Sequence, residues 1–141
     1  MLKFLKNLFS SKIPEKSFPG IIAAKVIKVE KHANADRLRV VELSDGTNTI
    51  SPVVCGAFNF DAGDIVALAL PGAQIPQNIH SQTHEPFILQ KATIRGVESQ
   101  GMICAAFELG LNSETGKGIM KLKHAVDLGS PFSTGMIESY E

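Results

Sequence analysis

Residues 21–44 read IIAAKVIKVEKHANADRLRVVELS, and their rhythm decides the fold. From Ile21 the period is read as two: RLRVVELS interleaves polar and apolar residues, and IIAAKVIKVE mixes them after four apolar residues. A period of two puts successive side chains on opposite faces of an extended chain, so each run predicts a strand with one buried face. The polar KHANAD between them predicts a connecting loop.

The pattern continues in both directions. TNTISPVVC (47–55) and DIVALAL (64–70) are further strand-like runs, with turns at Ser44-Asp45-Gly46 and over 60–64. Pro52 lacks an N–H for a ladder, so it implies an edge position or a bulge. Pro71-Gly72 ends the fourth run, and PQNIHSQTHEP (76–86) reads as a polar loop. Strand resumes in PFILQKATIRG, and GIMKLK is a last strand after a second polar loop at 112–118. Ala105–Leu109 predicts one helical turn closed by Gly110. Many short strands with regularly spaced turns indicate a small β-barrel. Its expected core is Val26, Val29, Leu38, Val40, Val54, Val66, Leu68, Ile94 and Ile103.

Outside the barrel, MLKFLKNLFSSKI (1–13) has Leu2, Leu5, Leu8 and Phe9 at helical spacing. It predicts an amphipathic helix docked on the domain or on a partner subunit, with a membrane-surface helix as the sharper alternative. Lysines interrupt it, so it fits a signal peptide poorly. PEKSFPG then breaks the helix as a linker, and the tail after Phe132 reads as loosely held. The expected organisation is a helix and linker over 1–17, a barrel domain over 18–132 and a tail over 133–141.

The 141 residues carry no net formal charge, yet basic residues dominate as far as Arg39 and acidic ones thereafter. That asymmetry implies a local basic face. No apolar run reaches the ~18 residues that span a bilayer. Cys55 and Cys104 lie apart in apolar settings and read as reduced, buried thiols of a cytoplasmic protein.

No catalytic set is evident, and no cofactor is expected. Gly116-Lys117-Gly118 lacks the spacing of a phosphate loop. His80 and His84 fall in a loop without supporting ligands, so no metal is expected. The stretch ATIRGVESQGMICAAFELG (92–110) is richer. It packs Arg95, Glu98, Ser99 and Gln100 between glycines in a segment that must also pair as strand. A charged hairpin rim and a binding surface are equally good readings of it. Lys25, Lys28, Arg37, Arg39, Lys91 and Arg95 fall on different strands, and any that share a face make a groove for phosphates. Asn34, Asn59, Ser99 and Gln100 can hydrogen-bond bases or 2′-hydroxyls. Phe58, Phe60 and Phe107 are the aromatic candidates, with core packing the expected job of each. So few aromatics favour recognition of folded RNA by shape and backbone.

KHANADRLRVVEL, VVCGAFNFDAGDIVALALPGAQIP, KATIRGVESQGMICAAFELGL and GIMKL occur in this order. Together they resemble the tRNA-binding domain near the N-terminus of the bacterial phenylalanyl-tRNA synthetase β subunit, over about Phe18 to Phe132. The same domain occurs in stand-alone bacterial tRNA-binding proteins. The resemblance implies an all-β, five-stranded oligonucleotide-binding (OB) barrel with short helical additions. It also implies tRNA as partner, no catalysis by the domain, and a homodimer or a synthetase subunit as protein contact. It draws Lys31 and His32 into the candidate set, which becomes Lys25, Lys31, His32, Asn34, Arg37, Arg39, Asn59, Lys91, Arg95, Ser99 and Gln100. Departures touch loops: Ala33 and Phe58 stand where the family often has proline, and Ala105 where serine is common. The β subunit has a longer segment before this domain and several domains after it, so the chain reads as a stand-alone relative or a diverged fragment. The competing function is a protein-interaction or chaperone-like OB domain.

Overall fold

The computed structural model describes residues 18–112 and 118–141; the helix expected over Met1–Ile13 lies outside them. Strand β1 (Ile21–Lys31) is the longest element, rich in the β-branched residues that fit a pleated surface. It pairs antiparallel with both β2 (Arg39–Ser44) and β4 (Ile65–Ala69), while β3 (Thr49–Cys55) adds to β2. Ile21–Lys25 lie against β4, and Lys25–Lys31 lie against β2 with a bulge between Val26 and Lys28. The bulge re-aims the strand, which is how one strand serves two neighbours around a curve.

Two small hairpins follow: β5 (Gln74–Ile75) with β6 (Phe87–Ile88), and β7 (Ala92–Ile94) with β8 (Val97–Ser99). The run expected as one strand over PFILQKATIRG is therefore split. Leu89 turns inward where it divides, its N–H donating to Ala73 O and its carbonyl accepting from Gly72 N. Strand β9 (Met102–Ile103) and strand β10 (Lys121–Leu122) pair with β4 on the edge not used by β1. The ring closes where Gln100 N donates to Pro52 O at 2.8 Å, joining the β8–β9 segment to β3. The result is the five-stranded antiparallel OB barrel. A short 3-10 turn at Phe107–Leu109 ends on left-handed Gly110, as the sequence predicts.

Strand β4 is buried from end to end. Val66 and Leu68 point into the barrel with Val26, Val41, Leu43, Val53 and Ile103. Ile65, Ala67 and Ala69 face a second apolar layer that includes Phe18, Leu109, Met120 and Phe132. A strand covered on both faces reads as a continuous apolar run, and IVALA is one. The expected loose tail contributes to this outer layer. Ile137–Ser139 forms β11 on β10, and Lys123 N donates to Met136 O at 2.8 Å.

Of the expected core, Val26, Val54, Val66, Leu68 and Ile103 are buried. Val29, Leu38, Val40 and Ile94 are only half-buried. Val29 lies beyond the β1 bulge, Val40 is on the outer face of β2 beside inward Val41, and Leu38 and Ile94 line an open cavity. Cys55 and Cys104 are buried and unpaired, and burial pushes both thiols up from their ordinary pKa.

Candidate nucleic-acid interface

The β1–β2 loop (32–38) and the β7–β8 hairpin meet at one end of the barrel. His32 is almost wholly buried there. Its Nδ1 accepts from Asn34 N at 2.9 Å, so the ring proton sits on Nε2, which donates to Ile94 O at 3.1 Å. Asn34 Nδ2 donates to Arg95 O at 3.4 Å. Arg95 and Gly96 form the hairpin's two-residue turn, at φ 51° and 89°. Both signs are those of a type I′ turn, whose twist matches the flanking strands. Glycine or asparagine is at ease at such a φ and arginine is not. The fold nevertheless holds an exposed arginine at the tip, its carbonyl anchored by Asn34.

Beside this tip, the loop's other end abuts the segment after β3. A Cβ on Gly56 would stand 3.5 Å from Leu38 Cδ2 and 3.8 Å from Arg37 O, so the two backbones run close together. Arg37 is exposed. Arg39 is turned inward, with 12% of its side chain exposed. Its guanidinium donates to Ala57 O at 3.1 Å, Phe60 O at 2.8 Å and Asp61 Oδ1 at 3.3 Å. Phe58 and Phe60 lie against it, with ring centroids at 4.9 and 4.5 Å. Phe60 is core, whereas Phe58 is 57% exposed, contrary to the packing role expected of it.

Two other candidates, Ser99 and Asn59, are engaged with main chain. Ser99 is buried, its Oγ accepting from Val54 N at 3.0 Å and donating to Gly101 O at 2.9 Å. Asn59 clasps Ile119 through both ends of its amide, at 3.0 Å each. Gln100 is half-buried, and its amide returns to Glu98. Lys31 is exposed and pairs with Asp36 at 3.4 Å. Lys91 is exposed at the foot of the β7–β8 hairpin. Lys25 lies apart, opposite Ser44 and Ile65, six residues from Lys31 along β1. At ~3.3 Å per strand residue that is about 20 Å away.

A cavity of about 590 Å³ opens between the hairpin, β3 and the 78–90 segment. Leu38, Gly56, Ile94, Met102 and Ile119 are among its walls, and Glu108 reaches it. Glu108 is buried, with Oε1 accepting from Ala105 N at 2.8 Å, and burial raises its carboxyl from 4.5 to about 7. Glu108 did not stand out in the sequence, and Phe58 stood out as an aromatic but not as an exposed one. Each sits in an apolar run, AAFELG or GAFNF, where neighbours give no hint of orientation.

A family model described as "Putative tRNA binding domain" matches residues 21–131. The chain is 43% identical over 120 residues to the phenylalanine–tRNA ligase β subunit of Chlamydia pneumoniae, covering 84% of this chain and 14% of that protein. The Chlorobaculum tepidum β subunit is 38% identical over 129 residues, covering 92% of this chain and 15% of its own length. The chain thus spans about a seventh of these curated relatives. The crystal structure of a MetRS-related protein from Pyrococcus horikoshii superposes with a TM-score of 0.56 at 17% identity, covering 91% of this chain and 94% of that one. At that identity the likeness supports the fold.

Proposed function

The chain belongs to the tRNA-binding-domain family, and on that premise we propose that it binds tRNA as a module that performs no chemistry of its own. The observation that carries this reading is the family match across the whole barrel. Exposed Arg37, Lys91 and Arg95, which form no ion pair among the described residues, support a phosphate-binding surface at the loop–hairpin end. Lys31 extends it, and Asn34 and Gln100 supply hydrogen bonds at its margin. Lys25 would add a contact along β1. His32, Arg39, Asn59 and Ser99 serve this surface by holding its loops, because each side chain hydrogen-bonds main chain of another segment. The same reading makes a second copy or a synthetase subunit the protein contact, and the cytoplasm the place of action. Among the described residues no helix is long and apolar enough to cross a membrane.

The test is a titration of the chain against total tRNA, duplex RNA and duplex DNA at two salt concentrations. The expected result is preference for tRNA, with log affinity falling by ~0.7–0.9 per phosphate contact for each decade of salt. Equal binding to all three, or binding indifferent to salt, overturns it.

A further inference from the structure

We propose that Phe58 is a stacking platform for one unstacked base of the bound RNA, a role that rests on the tRNA-binding reading above. Phe58 is the most exposed large apolar residue among those described, at 57%. The fold does not use it for packing; buried Ala57 and Phe60 on either side do that work. It does hold the ring, however. Arg39 lies 4.9 Å from the ring centroid and is itself fixed by two carbonyls and Asp61. The clamped guanidinium orients the ring, and more than half of the residue's surface stays open to solvent. A platform ordered before the ligand arrives spares the entropy of ordering it on binding.

The surroundings fit a nucleotide better than a protein. A protein-docking patch is a contiguous apolar area, whereas the group that lies against the Phe58 ring is the guanidinium of Arg39, and the residues that follow Phe58 and Phe60 in the chain are the polar Asn59 and the exposed Asp61. Arg37 is an exposed cation whose carbonyl stands 3.8 Å from where a Cβ on Gly56, two residues before Phe58 in the chain, would lie. An aromatic face beside a cation is the composition that binds single-stranded nucleotides, the ring taking the base and the cation the phosphate. Every base has a π-face, so the platform would accept any base that is splayed out.

The chain contains no tryptophan, so Phe58→Trp installs a single indole reporter at the site. Binding of total tRNA should quench its emission, with affinity close to that of the parent. Phe58→Leu keeps apolar bulk and removes the π-face. It should weaken tRNA binding about 5- to 150-fold, the span expected for loss of one stack, with the salt slope unchanged because every phosphate interaction is kept. Should the leucine variant fail to fold, the quenching of Phe58→Trp decides alone. The proposal is overturned, and the tRNA reading survives, if Phe58→Leu binds as the parent does and the indole stays bright while a mobility shift reports binding. A leucine variant that loses self-association in sedimentation but keeps its tRNA affinity assigns Phe58 to a protein interface and overturns stacking too. If the parent itself binds no tRNA, both readings fall together.

Discussion

The hairpin formed by β7 and β8 has a foot and a tip that carry similar chemistry to different ends. At the foot, Ser99 is buried and spends its hydroxyl on Val54 N and Gly101 O. At the tip, Arg95 is exposed and only its carbonyl is engaged, by Asn34. The same division separates Arg39 from Arg37, two residues apart. Arg39 staples the 57–61 segment while Arg37 faces water. A polar side chain whose donors and acceptors are filled by main chain has little left for a ligand, and losing it leaves a buried partner unsatisfied. Inward polar groups should therefore act through stability and outward ones through binding.

Glu108 provides the largest expected effect on the inward side. Its carboxyl ionises near pH 4.5 ordinarily and at about 7 here, because burial disfavours the anion. Between those values the native state holds a proton that the unfolded chain has released. Its contribution is thus fully present below about pH 4.5 and is lost as pH rises through about 7, by roughly 3 kcal/mol in all. Denaturant unfolding at a series of pH values should show that decline. Glu108→Gln keeps an acceptor for Ala105 N and should remove the decline between these limits; equal slopes in parent and variant would break the assignment.

Ser99→Ala should come next. It leaves Val54 N without its side-chain acceptor in a buried place, at a cost of about 1–3 kcal/mol. Asn59→Ala, which frees both main-chain groups of Ile119, should fall in the same range. In each variant the folded fraction should bind tRNA with the parent's affinity and salt slope. A change in binding without a change in stability would return these residues to the RNA-facing surface.

The sequence made the barrel legible because alternation is a local property. β1 to β3 follow from strand-like runs read with a period of two and β4 from a short unbroken apolar run, and the glycine turns mark their ends. The outer layer was harder to read. Residues 137–139 form only three positions of strand, and what holds them is β10 and Met136 O rather than their own pattern. Site residues were legible as chemistry and not as orientation. Arg37 and Arg39 are identical in type and neighbours in the chain, and pocketing of the second depends on carbonyls at Ala57 and Phe60, which are distant in sequence. Phe58 and Phe60 pose the same problem in apolar form. The resemblance to the family supplied the partner class, which periodicity alone does not contain.

The smallest effect sharpens the comparison most, because it moves stability and binding in opposite directions. Arg95 sits at φ 51°, where a side chain costs about 1–2 kcal/mol relative to glycine. Arg95→Gly relieves that cost, although the added freedom of the unfolded chain returns roughly half of it. The net expectation is a gain of up to about 1 kcal/mol, read as a higher midpoint in denaturant. The same change deletes an exposed cation. Affinity for different tRNAs should fall by similar factors, since phosphates carry no sequence, and the salt slope should drop by about 0.7–0.9 for the single phosphate that Arg95 no longer neutralises. Lys25→Ala tests the contact proposed along β1, because that cation lies about 20 Å from Lys31. If RNA touches only the loop–hairpin end, the slope should stay at the parent's value in Lys25→Ala. A matching drop would show the RNA running the length of β1. A stabilised Arg95→Gly that still binds with the parent's slope would mean that the tip arginine is tolerated by the fold rather than used by it, and the RNA-binding surface would then have to be sought elsewhere on the barrel.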